Sequence, residues 1–236
     1  MAGRSELLEA LRPADRDLLA PHLAEVHLPA GQSLFEPGQM VDVCYFPCGD
    51  SISSYYVLLE NGTAVETLMV GREGALGGIV SSGSLPAYAR SSVMHGGSFY
   101  RIAVAELEQL KSASPGIRSL FARYADCLMA QVFQSIACNA IHTIEQRAAK
   151  WLIAATERIG RNDIAMTQEQ LASMMGIGRS YASRTVQRFK ANALVRTRRG
   201  GIEVTDPQRL RQRACTCNDQ VRRHFDTVLL GVYPEA

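Results

Sequence analysis

Between Met166 and Phe189 the chain reads MTQEQLASMMGIGRSYASRTVQRF, a stretch that constrains its own geometry more tightly than any other. Thr167 followed three residues later by Gln170 makes a capping box, which satisfies two backbone donors at the start of a helix. Gly176 supplies the residue that ends that helix in a tight turn, and Ile177 pins the corner from inside. Gly178 then leads into a second helix in which Ala182, Val186 and Phe189 recur at i, i+4 and i+7, the spacing of one buried stripe.

The other face of that second helix carries Arg179, Ser180, Tyr181, Ser183, Arg184, Gln187 and Arg188. Forked guanidiniums and small hydroxyls suit phosphate oxygens and base edges, whereas a plain solvated helix more often alternates acids with bases. Two helices joined in this way form a helix-turn-helix, which sets its second helix into the major groove of double-stranded DNA. The charge distribution agrees. Residues 1–140 hold 9 Lys and Arg against 14 Asp and Glu, a net −5, while residues 141–236 hold 16 against 9, a net +7. The overall +2 therefore conceals a basic C-terminal part, the footprint of a phosphate-contacting module.

Downstream, ALVRTRRGGIEVTD predicts two short strands, Leu194 to Thr197 and Gly201 to Thr205, joined at Gly200-Gly201. Arg196, Arg198 and Arg199 near its tip make this hairpin a wing against the sugar-phosphate backbone, which Thr167 and Gln168 are also placed to meet.

Upstream, from about Val26 to Ile102, the texture changes to short β-prone runs, Val43 to Phe46, Ser51 to Leu59 and Ala64 to Val70, with Asn61-Gly62 the clearest hairpin turn. Closely spaced strands with such turns predict a small antiparallel roll. A short helix over Val104 to Leu110 follows. After Pro115-Gly116 the chain is free of Gly and Pro as far as Gly160, with Thr143 and Gln146 offering a fresh capping box midway. The first helix of that stretch aligns Ile117, Phe121, Tyr124, Leu128, Val132 and Ile136, an apolar face suited to the roll and to a symmetry mate. The second turns Ile144, Ala148, Trp151, Leu152, Ala155 and Ile159 inward. The fold class is α+β, divided as a roll (1–113), a dimerisation helix (114–142) and a winged helix-turn-helix (143–236). No apolar run reaches membrane-spanning length, and the N-terminus has neither a secretory nor a transit character, so a cytoplasmic location without membrane partners is expected.

Roll, long helix and winged helix-turn-helix, with the local match TQEQLASMMGIGRSYASRTVQRF and, in the roll, GREGALGG (Gly71 to Gly78) and ARSS (Ala89 to Ser92), resemble the Crp/Fnr family of bacterial transcription regulators. The resemblance implies a homodimer on palindromic promoter DNA, contact with RNA polymerase, and a signal sensed in the roll. Three departures matter. Where the family's groove helix commonly presents Arg, Glu and Arg, the matching positions are Arg179, Ser180 and Arg184, so preference at one base pair should change. Where cyclic-nucleotide members carry a ribose-binding glutamate, the turn reads Gly74-Ala75-Leu76-Gly77, although the phosphate-binding pair survives as Arg90-Ser91 beyond the long segment IVSSGSLPAY. Cyclic AMP dependence is therefore not expected, and the effector is left open among another cyclic nucleotide, a cyclic dinucleotide, a different ligand or none. The N-terminal cysteines of iron-sulfur members are absent. Cys44, Cys48, Cys127, Cys138, Cys215 and Cys217 lack zinc-site spacing and read as buried reduced thiols, Cys215 and Cys217 being poorly spaced for a redox pair. No metal site and no cofactor is expected, with His22, His27, His95, His142 and His224 the histidines open to a haem. An enzyme is the rival class, but the roll has no His-x-His with a following carboxylate and no nucleophile with an evident base.

Overall fold

The computed structural model describes residues 4–80 and 83–233. Met1 to Gly3, Ser81 and Ser82 within IVSSGSLPAY, and Pro234 to Ala236 lie outside the described residues. Two short helices, α1 (Glu6–Glu9) and α2 (Pro13–Leu19), precede the strands β1 (Ala24–Leu28), β2 (Ser33–Phe35), β3 (Met40–Val41), β4 (Val43–Pro47), β5 (Ile52–Leu58), β6 (Ala64–Val70), β7 (Leu85–Pro86), β8 (Arg90–His95) and β9 (Gly97–Ala103). Every pairing among them is antiparallel, in sheets ordered β1-β9-β4, β2-β8-β5-β6 and β3-β7. Leu34, Phe35, Leu68, Val70, Leu76, Val93 and Phe99 fill the space between the sheets, because alternate residues of each strand point inward.

Helix α3 (Val104–Ala113) runs three residues beyond the predicted end and is followed by α4 (Pro115–Ile141). Ser114 caps α4 by accepting from the Ile117 N–H at 3.1 Å, and Pro115 occupies the first helical position, where its missing N–H costs nothing. The predicted apolar face of α4 divides along its length. Ile117, Phe121 and Tyr124 are buried against the roll, while Val132 and Ile136 are exposed together with Met129 and Phe133. The Thr143–Gln146 capping box starts α5 (Ile144–Ile159), whose Ala148, Trp151, Leu152, Ala155 and Ile159 are buried as predicted, with Ile144 only half-buried.

The rest is β10 (Asp163–Ile164), α6 (Gln168–Met175), α7 (Arg179–Ala191), the hairpin β11 (Val195–Arg198) and β12 (Gly201–Val204), then α8 (Pro207–Arg213) and α9 (Cys217–Leu230). Two features lie outside the sequence expectation. β10 adds a third strand to the wing, in the order β10-β12-β11. Helix α9 returns to α4: Phe225 meets Tyr124 edge-on at 6.3 Å and Arg123 donates to the Val228 carbonyl at 2.9 Å. Phe225 and Val232 thereby join a core built from the roll and α4, so the chain after the wing packs with the N-terminal part.

Candidate nucleic-acid interface and sensor residues

The helix-turn-helix forms from the residues that predicted it. Thr167 Oγ1 accepts from the Gln170 N–H at 3.1 Å and Gln170 Oε1 accepts from the Thr167 N–H at 2.7 Å, both halves of the capping box. Gly176 has φ +63°, a left-handed conformation that glycine adopts without steric cost. Ala182, Val186 and Phe189 are at most 1 % exposed, which fixes α7 by one face and turns the other outward. Arg179, Ser180, Tyr181, Arg184, Gln187 and Arg188 are exposed there, with Ser183 half-buried. The Arg184 guanidinium lies over the Tyr181 ring, 4.9 Å from its centroid, and Arg188 stands 3.6 Å from the Glu145 carboxylate. Among the described residues Arg179, Arg184 and Arg199 enter no ion pair.

A cleft of about 340 Å³ separates the helix pair from the wing, and Thr167, Gln168, Arg179 and Arg198 all line it. The structure thus brings groove and backbone candidates to one surface. The wing itself is less free than the sequence suggested. Only Gly200 of the Gly200-Gly201 pair has positive φ. Arg196 donates twice to Glu203 Oε2, at 3.0 and 2.7 Å, and Arg198 forks onto both oxygens of Asp163. The hydrogen bonds from Arg198 hold the Asp163 carboxyl below the usual range. These pairs are exposed, and such pairs are weak enough for a phosphate to displace the acid.

The candidate effector residues are more scattered. Ala75 and Leu76 are fully buried, the Ala75 carbonyl accepts from the Tyr124 hydroxyl at 3.1 Å, and Leu76 exchanges both backbone bonds with Tyr45. The Gly77 N–H donates to the Tyr55 hydroxyl at 3.3 Å, and Gly74 packs against Tyr124. The turn is therefore knitted into the roll core. Arg90 Nε donates to Glu36 at 2.9 Å, and Ser33 and then Arg90 hold that carboxyl low. Ser91 is buried, its hydroxyl without a partner among the described residues. Glu73 is engaged within the protein: it accepts from Arg158 of α5 at 2.8 Å, and although burial pushes its carboxyl up, Arg158 prevails and lowers it.

Between β6, α4, α5 and α9 lies a cavity of about 470 Å³ that sequence reasoning missed, lined by Glu66, Arg72, Lys150, Trp151, Arg158 and Arg222 among others. Glu66 accepts from Trp151 Nε1 at 2.8 Å and from the Ser54 hydroxyl at 2.6 Å. Enclosed by protein although it edges the cavity, its carboxyl is pushed up to about 7, chiefly by burial. Sequence reasoning also left the cysteines scattered. The fold gathers Cys138, His142, Cys215 and Cys217, with the hydrogen bond from the Cys215 thiol and then the Lys150 charge holding the Cys138 thiol below its usual range.

Residues 146–213 match the Crp-like helix-turn-helix domain. The chain carries a Crp-like helix-turn-helix domain. Most of its length superposes on solved structures of similar fold. FixK2 from Bradyrhizobium japonicum has a TM-score of 0.69 at 13% identity, covering 82% of this chain and 98% of that one. A putative Crp/Fnr transcriptional regulator from Eubacterium rectale has 0.63 at 20%, covering 88% and 96%. The c-di-GMP responsive regulator CLP from Xanthomonas campestris has 0.67 at 14%, covering 83% and 100%. No curated protein sequence matches. At these identities the likeness shows the fold, and among the described residues no helix is long and apolar enough to cross a membrane.

Proposed function

We propose that this chain is a cytoplasmic, homodimeric transcription regulator that reads palindromic promoter DNA with α7 and contacts RNA polymerase. The observation that carries this reading is the two-sidedness of α7: Ala182, Val186 and Phe189 anchor one face while Arg179, Ser180 and Arg184 stand outward, with Ser183 half-buried between them and Arg179 lining the cleft to the wing. Arg179 and Arg184 have the donors to pair bidentately with guanine, and Ser180 and Ser183 hydroxyls can bond either a base edge or a phosphate. Tyr181, Arg188, Thr167, Gln168, Arg196, Arg198 and Arg199 orient the module on the backbone. Dimerisation is supported by Met129, Val132, Phe133 and Ile136, an exposed apolar stripe on α4 with helical spacing. A two-fold axis along that stripe sets two α7 helices about 34 Å apart, one turn of DNA.

Cyclic AMP is not required on this reading. Ala75 lies inside the core where a ribose-binding carboxylate would have to stand, and Arg90 is engaged by Glu36. The test is selection of bound sequences from a random duplex pool, at fixed near-physiological salt, with and without cyclic AMP, alongside the protein's mass in solution. A palindrome enriched equally in both pools by a dimer is the expected result. Enrichment only with the nucleotide would overturn its independence, and a monomer enriching no sequence would overturn the regulator reading.

A further inference from the structure

Four soft ligand groups meet where α4 ends. Cys138 lies on the last turn of α4 and His142, four residues on, is the C-cap whose N–H donates to the Cys138 carbonyl, which keeps the two side by side. Cys215 and Cys217 flank the turn that opens α9, with Cys217 at its first helical position. Their Sγ and imidazole nitrogen atoms all lie within 4.8 Å of one another. Cys138 Sγ is 3.6 Å from Cys215 Sγ, and Cys217 Sγ is 3.5 Å from His142 Nδ1.

We propose that Cys138, His142, Cys215 and Cys217 bind one zinc(II) ion as a tetrahedral Cys3His site that ties the end of α4 to the start of α9. Zinc–sulfur bonds of about 2.3 Å and a zinc–nitrogen bond of about 2.0–2.1 Å make tetrahedral edges of about 3.8 Å between sulfurs and about 3.5 Å between sulfur and nitrogen. The Cys138–Cys215 and Cys217–His142 edges already match, and the others, at most 4.8 Å, need to contract by no more than about 1.0–1.3 Å. Ligand atoms this close surround a single ion; the sulfurs around an iron-sulfur cluster spread over several metal atoms. Three thiolates and a neutral imidazole suit zinc, which has no geometric demand beyond the tetrahedron.

The surroundings are those of an anionic metal–thiolate centre. Lys150 Nζ lies 3.4 Å from Cys138 Sγ, and Gln134 Nε2 donates to Cys217 Sγ at 3.2 Å. Such donors orient metal-bound sulfur and offset the net negative charge of three thiolates on one divalent ion. Cys138 and Cys217 are buried, so the site is shielded from solvent on the α4 side. As the metal–sulfur bonds form, thiol protons are released to solvent. The residues bridged straddle the break at His142 and Thr143 between α4 and α5, so the ion would clamp that joint to the helix that returns after the wing.

The test uses the full-length protein, reduced and stripped of metal, titrated with zinc(II) and separately with cobalt(II). One equivalent per chain is expected, with the intense visible absorption of tetrahedral cobalt and a thiolate-to-cobalt charge-transfer band in the near ultraviolet. Cys138→Ser, Cys217→Ser and His142→Ala should each weaken zinc binding at least about tenfold, while Cys127→Ala, which lies outside the cluster, should leave it unchanged. Circular dichroism checks that the variants fold; should one fail, the cobalt spectrum of the unaltered chain decides alone. Octahedral cobalt without the charge-transfer band, uptake that survives the ligand substitutions, or a Cys138–Cys215 disulfide in protein that takes up no zinc after reduction would each sink the proposal. Retention of iron in preference to zinc would overturn the metal assignment.

Discussion

At the scale of single residues, exposure and pairing separate the side chains free to meet DNA from those that hold the module together. Arg184 stands outward with only an aromatic neighbour, so Arg184→Ala should cost about 1–3 kcal/mol on the selected sequence and flatten preference at one base pair. Equal losses on selected and random duplexes would contradict a place in the groove. Arg198 differs because Asp163 already holds it. Arg198→Ala should weaken all sequences alike and reduce the salt slope by about one. Asp163→Asn should do the reverse, strengthening binding to random DNA and steepening its salt dependence, since the guanidinium is released without being removed. Unchanged affinity in filter binding for Asp163→Asn would mean that Arg198 does not reach phosphate. The inner face of the same helix belongs to stability: Phe189→Ala should cost about 3–5 kcal/mol in denaturant unfolding, because the ring is 1 % exposed and leaves a cavity.

At the scale of elements, the informative contact is between β6 and α5. Glu66 takes hydrogen bonds from Trp151 and Ser54 in an enclosed place that raises its carboxyl from an ordinary 4.5 to about 7. The folded protein therefore holds that proton more tightly than the unfolded chain does. Its stabilising effect is full below about pH 4.5 and is lost as pH rises to about 7. Glu66→Gln should remove this dependence, raising the melting temperature at pH 8 relative to the unaltered chain with little change at pH 5. A variant whose melting temperature follows the same pH curve as the unaltered chain would show that Glu66 is not the group responsible. The neighbouring Arg158–Glu73 pair and the Ser173 hydroxyl on the Ala64 carbonyl at 2.7 Å join the roll to α5 and α6 by other means, so the contact should loosen rather than separate.

At the scale of the whole molecule, those same contacts join the roll to the helix-turn-helix domain. Trp151 is the only tryptophan, and it sits at their junction beside the cavity. Binding of the selected DNA should shift its emission if the two parts rearrange, and Arg158→Ala should shift the emission of the free protein in the same direction. An identical spectrum in all three states would mean a rigid junction. The exposed stripe on α4 makes the matching prediction for assembly: Phe133→Glu should convert a dimer to a monomer by light scattering and abolish palindrome binding, while leaving the fold intact, since Phe133 is 63 % exposed in the single chain.

Much of this was legible in the sequence where the controlling interactions are local. The capping boxes at Thr167 and Thr143, the left-handed Gly176, the β5–β6 turn and the apolar stripe of α7 act within a few residues, so their spacing determined the helix-turn-helix, the wing hairpin and the order of roll, long helix and DNA-binding domain. What the sequence could not determine are meetings between distant residues. Asp163 beside Arg198, Glu73 beside Arg158, Glu66 beneath Trp151, α9 against α4, and Cys138 with His142 beside Cys215 and Cys217 depend on how whole elements pack. Side-chain type and spacing show which group is available, but partnership is decided by a few ångströms of tertiary placement that no local pattern encodes.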